Sequence, residues 1–444
     1  MPRAIHRDHL PDSPLTLREE VTELLRELIR IDTVNPPGNE TRAAEALRGY
    51  LARNGVDSQL LARTPDRANV VARLSGGDGP SLLLLAHTDT VLADPDDWSR
   101  DPWSGDVVGG EVWGRGALDM KGHVAAVTVA FASLAREGVT PPGDLVLALT
   151  ADEEMGEDDF GISWLALEHP DTVRTDFAVN EGGGERYVVG GRVLYLCAVG
   201  EKATAPFRVR LHGRAGHASD PHSADNALLR AAPVLETLGR LGFEPTLLPE
   251  VEAFLAIALD EVPPVEEALA RAHAIDPVAA QLLAPLLSAT LSPTMIEASR
   301  KRNVIPGSCT ITVDCRLLPG QSREDVEALL RAGVPGEWEI EWIEKECVGG
   351  TRSPIDTPLW RALEGWIDET EPGARLAPIV CGGFTDSHYV RSGLGTTAYG
   401  FFPIRAMAPE LVARLVHGAD ERIAIDDLEL GVDLFRRLAT TALV

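Results

Sequence analysis

Two patterns of apolar and polar positions divide the chain. In the first, helices with one apolar face alternate with short, fully apolar strands, from the start of the chain to about residue 197. The helices are predicted at 17–31, 41–54, 120–137 and 162–169, and the strands at 69–74, 82–86, 145–150 and 177–180. Fully apolar strands that alternate with helices are typical of a mostly parallel sheet flanked by helices. This first pattern therefore predicts an α/β fold.

The second pattern of apolar and polar positions lies between residues 198 and 349. Residues 204–212 alternate apolar and charged positions, which is typical of a half-exposed strand in an antiparallel sheet. The predicted elements that follow are a helix at 224–241, a Pro-rich helical insert ending at 291, a strand at 309–317, a helix at 323–332 and a strand at 338–345. This part of the chain is typical of a smaller α+β domain.

The first pattern of apolar and polar positions returns after residue 353. It shows helices at 359–369 and 426–438, with an apolar run at 376–380. We therefore predict a catalytic domain of residues 1–197 and 350–444, interrupted by an inserted α+β domain of residues 198–349.

Composition and charge narrow the class of protein. Of the 444 residues, 44% are hydrophobic and 25% are charged, which is ordinary for a globular protein with a full core. The formal net charge of -27 repels phosphate backbones and anionic lipids, so we expect neither nucleic acid nor a membrane as a partner. No segment approaches a membrane span, and the first eight residues lack the apolar stretch of a secretory signal. The five cysteines are odd in number and form no C-x-x-C pair, so we expect a reducing cytoplasm rather than disulfides or a thiolate metal site.

Polar side chains follow the predicted apolar strands at the points where the strands end. The run at 82–86 ends in His87, and Asp89 follows two residues later. Other polar side chains lie just after apolar runs or, in the case of the last, in the part of the chain after residue 353. They are Asp119, Glu153, Glu154, Glu181 and His417. Because ligands bind beyond the carboxyl ends of strands in open α/β sheets, we expect these side chains to converge.

This set of donors suits a pair of divalent metal ions. Two histidines and three carboxylates without a thiolate favour a carboxylate-bridged pair of zinc ions, with cobalt or manganese as alternatives. Adjacent side chains point apart in an extended turn, so one of Glu153 and Glu154 can bind metal while the other faces the metal-bound water as general base. Asp89 can orient the imidazole of His87 from behind.

Each of these residues also has an ordinary structural explanation. His87 can be a structural histidine at a strand end, and the two adjacent glutamates can belong to a solvated acidic turn at 152–159. Asp119 can cap the following helix, and Glu181 can lie in an ordinary loop before three glycines. Their joint occurrence at strand ends is what favours the metal site.

Four motifs carry a resemblance to a known family. They are His87-Thr88-Asp89, Gly114-Arg115-Gly116-Ala117-Leu118-Asp119-Met120-Lys121-Gly122, Asp152-Glu153-Glu154 and Asn180-Glu181-Gly182-Gly183. In order and spacing they resemble the di-zinc exopeptidase and aminoacylase family, which includes glutamate carboxypeptidase, carboxypeptidase S, acetylornithine deacetylase and succinyl-diaminopimelate desuccinylase. The resemblance covers nearly the whole chain, and it implies a zinc-exopeptidase-like catalytic domain with an inserted lid.

The resemblance also implies a role for each candidate residue at the strand ends. His87 and Glu181 would hold one zinc, Glu154 and His417 would hold the other, and Asp119 would bridge the two. Glu153 would be the catalytic base. The peptide bond after Asp119 would be cis.

Further residues are implied for the inserted domain. His217 would reach the partner subunit's active site in a homodimer and stabilise the oxyanion there. Asn303 and Arg316 would bind the carboxylate or carbonyl of the substrate. An ion pair with Asp314 is the alternative for Arg316.

A glycine loop is implied in the returning part of the catalytic domain. Gly382 and Gly383 would bring backbone amides close to a substrate carboxylate, since no Cβ intervenes. His388 lies in the same stretch and can line the pocket or merely pack, so we assign it no metal.

These features together predict a metal-dependent amidohydrolase. It would cleave an amide bond in N-acyl amino acids or in short peptides with a free carboxylate, using a metal-bridging water activated by Glu153. Glu181 favours a deacylase, whereas the insert at 243–291 resembles the carboxypeptidase S branch, so both substrate classes stay open. A catalytically silent, metal-stabilised binding or scaffold protein of the same fold is the alternative from another class. We also expect a homodimer through the inserted domain, whose half-exposed strand and helix offer an edge and a face for pairing.

Overall fold

The computed structural model describes residues 15–155 and 160–444. The chain packs into two compact units. The first unit runs up to Gly161 and resumes at Phe402–Val444, and the second unit is Ile162–Phe401. The N-terminal octapeptide considered as a signal, and residues 156–159 of the predicted acidic turn, lie outside the described residues.

The first stretch of the first unit alternates helices and strands as the sequence predicts. Its elements are α1 (Leu17–Ile29), α2 (Thr41–Arg53), β1 (Ser58–Ala62), β2 (Ala68–Leu74), β3 (Gly79–His87), β4 (Asp106–Val108), β5 (Glu111–Trp113), α3 (Lys121–Arg136) and β6 (Gly143–Thr150). A capping box begins α1, because the Thr16 side chain accepts a hydrogen bond from the Glu19 backbone and the Glu19 side chain accepts one from the Thr16 backbone.

The second unit contains the elements from Ile162 to Phe401. They are α4 (Ile162–Glu168), α5 (Pro170–Val173), β7 (Phe177–Asn180), β8 (Arg186–Val189), β9 (Arg192–Glu201), β10 (Ala203–Thr204), β11 (Phe207–His212), β12 (Gly216–His217), α6 (Ala227–Leu238), α7 (Pro249–Leu259), α8 (Val265–Ile275), α9 (Pro277–Leu283), β13 (Thr290–Glu297), β14 (Val304–Ile305), β15 (Ser308–Leu317), α10 (Arg323–Gly333), β16 (Glu339–Trp342), α11 (Pro358–Thr370), β17 (Arg375–Cys381), α12 (Ser387–Tyr389) and β18 (Thr397–Gly400). The chain then returns to the first unit with α13 (Pro409–Leu415), β19 (Arg422–Ala424) and α14 (Ile425–Thr440).

The sheet of the first unit places its polar residues at one edge. Its strands lie in the order β1-β2-β6-β3, with β3 and β6 parallel and the other two pairs antiparallel. Leu84 lies opposite Leu147, and His87 lies opposite Thr150 at the carboxyl end of both strands. The last six residues of β3 are all buried, because α3 covers this sheet and is itself packed against α1 and α14. The apolar strand thus ends in a buried histidine.

Among the described residues, the second unit contains two larger sheets with separate cores, and a two-stranded sheet of β12 and β14. In the first, β7 pairs with β18 and β9 pairs with β17, both in parallel, while β8 is antiparallel to β9. The helices α7, α8 and α9 pack over β9 and β17. In the second sheet β15 is antiparallel to both β11 and β13, and α6 and α10 cover it.

The predicted fold class is confirmed, with a sheet that mixes parallel and antiparallel pairs. The helical insert at 243–291 packs on β9 and β17 rather than on the antiparallel sheet. The predicted domain boundaries at 197/198 and 349/350 stay a prediction. Among the helices of residues 15–155 and 160–444, none combines the length and the hydropathy that a membrane crossing requires.

Candidate metal centre

Four of the five predicted metal ligands meet in the first unit. His87 ends β3, Asp119 precedes α3, Glu154 follows β6 and His417 follows α13. One ligand atom each from His87, Asp119 and Glu154 lies within 4.8 Å of the other two.

Asp119 lies between the two histidines. Its Oδ1 is 3.2 Å from His87 Nε2, and its Oδ2 is 3.0 Å from His417 Nε2. His417 Nε2 is also 3.2 Å from Glu154 Oε2. Each carboxylate oxygen of Asp119 therefore faces a different histidine, which is the arrangement that a carboxylate shared by two cations needs.

Asp89 holds both sides of this cluster. Its carboxylate accepts hydrogen bonds from the backbone amides of Glu153 and Glu154, at 3.2 and 3.1 Å, and from Asn35 Nδ2 at 3.0 Å. His87 Nδ1 lies 3.1 Å from the Asp89 carbonyl oxygen and 3.4 Å from Oδ1. Asp89 thus fixes the His87 ring and the turn of the two glutamates together. The Glu153 carboxylate lies on the same side, with Oε2 3.8 Å from His87 Nε2.

The charges of the cluster are strongly coupled. Burial opposes ionisation of Asp119, but its hydrogen bonds with His417 and His87 hold its pKa below the ordinary value. Burial raises the pKa of Glu154 to about 7. The hydrogen bonds with Asp119 and Glu154 raise the pKa of His417 to about 10. Without a metal, a proton on His417 supplies the positive charge that these carboxylates require.

One buried oxygen tests whether a cation fits. Glu154 Oε1 is buried and has no hydrogen-bond partner among the described residues, whereas Oε2 faces His417. An unsatisfied buried acceptor costs about 1–3 kcal/mol, and a cation would satisfy it. Imidazole nitrogens and carboxylate oxygens are the donors that zinc accepts. The residues present therefore fit a divalent metal.

Two ordinary explanations for these residues are wrong. Asp119 does not cap α3, because Met120 is the N-cap residue and no side chain caps this helix within the described chain. The adjacent glutamates are not solvated, because the side chains of Glu153 and Glu154 are only 10% and 5% exposed. The expected cis peptide between Asp119 and Met120 is confirmed.

Three residues of the site were missed in the sequence. Asn35 Nδ2 donates to both Asp89 and Asp152, at 3.0 Å each. Arg115 and Glu421 form a buried ion pair beside the loop of Asp119. Glu421 lies four residues after His417, and this proximity is the only signal that the sequence offers for it.

The second unit carries the remaining predicted residues. Glu181 directly follows β7. His217 lies in β12 opposite Val304, and its Nδ1 is 2.7 Å from Ser219 Oγ. The Asn303 carbonyl accepts a hydrogen bond from the Ala218 amide, so the segments of Asn303 and His217 are adjacent. The functional roles of Glu181, His217 and Asn303 stay predictions.

The other substrate-binding candidates have partners of different kinds. Arg316 donates to both carboxylate oxygens of Asp314, at 3.0 and 3.1 Å, which confirms the ion pair given as its alternative. Gly382 and Gly383 are exposed directly after β17. His388 Nδ1 lies 3.6 Å from Glu201 Oε1, in the second unit. Roles of Arg316, Gly382 and Gly383 in substrate binding stay predictions.

Comparisons with known proteins agree with this chemistry. Residues 83–441 match the model of peptidase family M20/M25/M40. The chain is 28% identical to a succinyl-diaminopimelate desuccinylase of Methylobacterium sp. (strain 4-46), over 94% of each sequence. It is 27% identical to the N-fatty-acyl-amino acid synthase/hydrolase PM20D1 of Xenopus tropicalis, over 95% of this chain and 85% of that protein.

A solved structure shares the fold. The M20 family metallo-carboxypeptidase Sso-CP2 from Sulfolobus solfataricus is 20% identical, covers 95% of this chain and 98% of its own, and superposes with a TM-score of 0.73. Because the family model matches well over half of the chain, the protein belongs to peptidase family M20/M25/M40 and is a metal-dependent hydrolase of amide bonds.

Proposed function

We propose that the protein is a di-zinc amidohydrolase that removes the acyl group from N-acyl amino acids. The observation that carries the proposal is the position of Asp119, whose two oxygens face His87 and His417 separately. The unpartnered buried oxygen of Glu154, within the part of the chain that is described, supports a cation at the same place.

The metal set that we propose is the one implied by the resemblance. His87 and Glu181 would hold one ion, Glu154 and His417 would hold the other, and Asp119 would be shared. When bound, zinc polarises the scissile carbonyl and makes water more acidic, and cobalt or manganese supplies the same chemistry.

The protein's own residues supply the proton transfers and the orientation. Glu153 accepts a proton from the attacking water and returns it to the leaving amine. Asp89 keeps Glu153 in place through the backbone amide of that residue, at 3.2 Å. We assign the oxyanion to His217, and the substrate carboxylate or carbonyl to Asn303 and Arg316.

The curated relatives favour an N-acyl amino acid over a peptide. Two of them are named for a succinyl group and for a fatty acyl group on amino acids. Glu181 agrees with a deacylase, whereas the insert at 243–291 agrees with the carboxypeptidase S branch. Short peptides with a free carboxylate are therefore the second substrate class, and the exposed glycine loop of Gly382 and Gly383 suits the carboxylate of either class.

A second copy of this chain is the partner that we propose. On α6, Leu228, Leu229 and Leu235 are 43%, 71% and 37% exposed, and His217 belongs to the same unit. An exposed apolar helix face of this kind marks an interaction surface. Pairing of two such faces buries them and brings His217 to the other subunit. The cysteines of the described residues form no disulfide bond, which supports the cytoplasm as the compartment.

The proposal is tested with Glu153→Ala. A general base contributes about 10²–10⁴-fold to the rate, so turnover of a panel of N-acyl amino acids and dipeptides falls by that factor. Zinc content stays at the wild-type level, because Glu153 is not among the proposed ligands. The exposed Glu410→Ala is the matched control and keeps full activity.

Two outcomes contradict the proposal. A Glu153→Ala variant that retains the wild-type rate excludes this base. A wild-type protein that zinc stabilises but that cleaves no member of the panel supports the alternative of a catalytically silent binding protein.

A further inference from the structure

A buried ion pair joins two parts of the chain that lie 306 residues apart. Arg115 Nη1 is 2.7 Å from Glu421 Oε2, and the two side chains are only 3% and 0% exposed. Burying two charges costs several kcal/mol per ion unless further hydrogen bonds satisfy them, so the other contacts of the pair decide what it does.

Glu421 fixes the loop that carries Asp119. Its Oε2 also accepts from the Gly116 amide at 3.0 Å, and its Oε1 accepts from the amides of Leu118 and Asp119 at 2.7 and 3.0 Å. The carboxylate thus accepts four hydrogen bonds, and one of them comes from the backbone of a metal ligand. These hydrogen bonds fix the backbone position of Asp119, and therefore the point from which its side chain extends.

Arg115 fixes two further segments. Its Nη2 donates to the carbonyl oxygens of Leu92 and His417, at 3.2 Å each. Leu92 follows Asp89 by three residues, in the segment that leaves β3. The Trp98 ring lies 5.2 Å from the guanidinium and shields it from water.

The backbone at His417 needs support of this kind. His417 has a φ of 58°, in the left-handed region that a residue with a Cβ rarely adopts. The hydrogen bond from Arg115 to the His417 carbonyl holds this conformation, and the Gly114 amide donates to the Glu421 carbonyl at 2.9 Å in the same turn. The ring of His417 is therefore aimed at Asp119 by contacts behind it.

We propose that Glu421 and Arg115 are positioning residues for the dinuclear site, and that they set its metal affinity without touching a metal. They act through the loop of Asp119, the turn of His417 and the segment after β3. The inference rests on the proposed function in one respect, because it takes His87, Asp119 and His417 as metal ligands. A purely structural ion pair is the competing explanation.

The chain offers a matched control for that explanation. Asp427 is 1% exposed in the same unit, and its Oδ1 accepts from the amides of Arg405 and Ala406 at 2.8 Å each. It therefore resembles Glu421 in burial and in its backbone contacts. The loop that it holds carries none of the proposed ligands.

The test compares Glu421→Gln with Asp427→Asn. Glu421→Gln replaces one accepting oxygen by an amino group that faces backbone donors. Asp427→Asn removes the charge of an equally buried carboxylate, and its amino group can take the place of Oδ2, which has no hydrogen-bond partner among the described residues. The melting temperature of each metal-free variant is measured first. Co²⁺ is titrated into each by calorimetry, with the visible absorption of the bound ion recorded in parallel. Residues behind metal ligands change metal affinity by about 10–100-fold, so we expect Glu421→Gln to bind Co²⁺ that much more weakly and with an altered spectrum. Asp427→Asn keeps the wild-type affinity and spectrum.

Arg115→Lys covers the case in which Glu421→Gln does not fold. Lysine keeps a charge for Glu421 but cannot also reach Leu92 and His417, so Co²⁺ affinity falls by less than in Glu421→Gln. Wild-type affinity in every one of these two variants that folds overturns the inference, and so does an equal loss in Asp427→Asn. A wild-type protein that binds no Co²⁺ refutes the proposed function itself. A wild-type protein that binds Co²⁺ but hydrolyses nothing refutes only the proposed reaction.

Discussion

His417 and Glu154, two of the proposed metal ligands, both have raised pKa values in the metal-free protein. The hydrogen bonds to Asp119 and Glu154 raise the pKa of His417 to about 10, and burial raises the pKa of Glu154 to about 7. At pH 7 the metal-free protein therefore holds a proton on His417 and a partial one on Glu154. Metal binding needs the neutral imidazole and the ionised carboxylate.

We therefore predict that Zn²⁺ binding at pH 7 releases at least about one proton. Since both pKa values lie above or near 7, affinity rises as the pH increases from 6 towards 10, where the competing proton on His417 is lost. Calorimetry in two buffers of different ionisation enthalpy measures the release. A binding enthalpy independent of the buffer contradicts this assignment of protons.

At the residue scale, the sequence predicts the ligands better than their supports. His87 ends the buried strand β3 and Glu154 lies in the turn after the buried strand β6, so the strand-end rule brings these two proposed ligands to one edge of the sheet. Glu421 and Asn35 act through hydrogen bonds to residues that are distant in the sequence, such as Asp119 and Asp89. No local pattern encodes such a partner, because it depends on how the strands and loops pack.

At the scale of elements, α3 contains a buried titratable residue. The His123 ring is stacked on Phe435 and tilted against Phe402, with both ring centroids 5.0 Å away. Burial lowers the pKa of His123 to about 3, from an ordinary value of 6.5. His123 is therefore neutral in the folded protein at every pH above about 3.

The unfolded chain binds a proton at His123 below pH 6.5, whereas the folded protein does not, so stability falls as the pH drops from 6.5 towards 3. At pH 5 this residue lowers the free energy of unfolding by about 2 kcal/mol relative to pH 7. We predict that His123→Leu removes this part of the acid sensitivity in urea unfolding at pH 7 and pH 5. An equal loss of stability in the variant and the wild type would place the acid sensitivity elsewhere.

Elements with a clear period were predicted, and the missed strands include two that lack one. The helix α1 has an apolar face and a capping box, and its predicted start is confirmed. The strand β9 is buried on both faces, and such a continuous apolar run has no period that distinguishes it. The strand β13 contains Pro293, which argues against a strand, and its register with β15 shifts between Pro293 and Met295.

At the scale of the whole molecule, the exposed leucines of α6 predict the assembly. We expect Leu229→Glu to convert a dimer into a monomer in size-exclusion chromatography with light scattering, because a charge cannot be buried in an apolar interface without a partner. If His217 acts in the other subunit, kcat of the monomer falls by about 10²–10³-fold, as for the loss of an oxyanion donor. The control is Leu167→Glu on α4, where the leucine is 77% exposed and the dimer stays intact. A monomer of full activity refutes the role of His217 across the interface.

The first unit is assembled from two parts of the chain that the ribosome makes far apart in time. Residues 402–444 supply α14, which packs on α3, and they supply both His417 and Glu421. Domains fold as they emerge during synthesis, so Ile162–Phe401 is complete while the first unit still lacks its last segment. With His417 as a proposed ligand, we expect complete metal loading of the nascent enzyme only at the end of translation. On this proposal, a message truncated before codon 417 yields a polypeptide that lacks one of the proposed ligands, however much of the remaining architecture it retains.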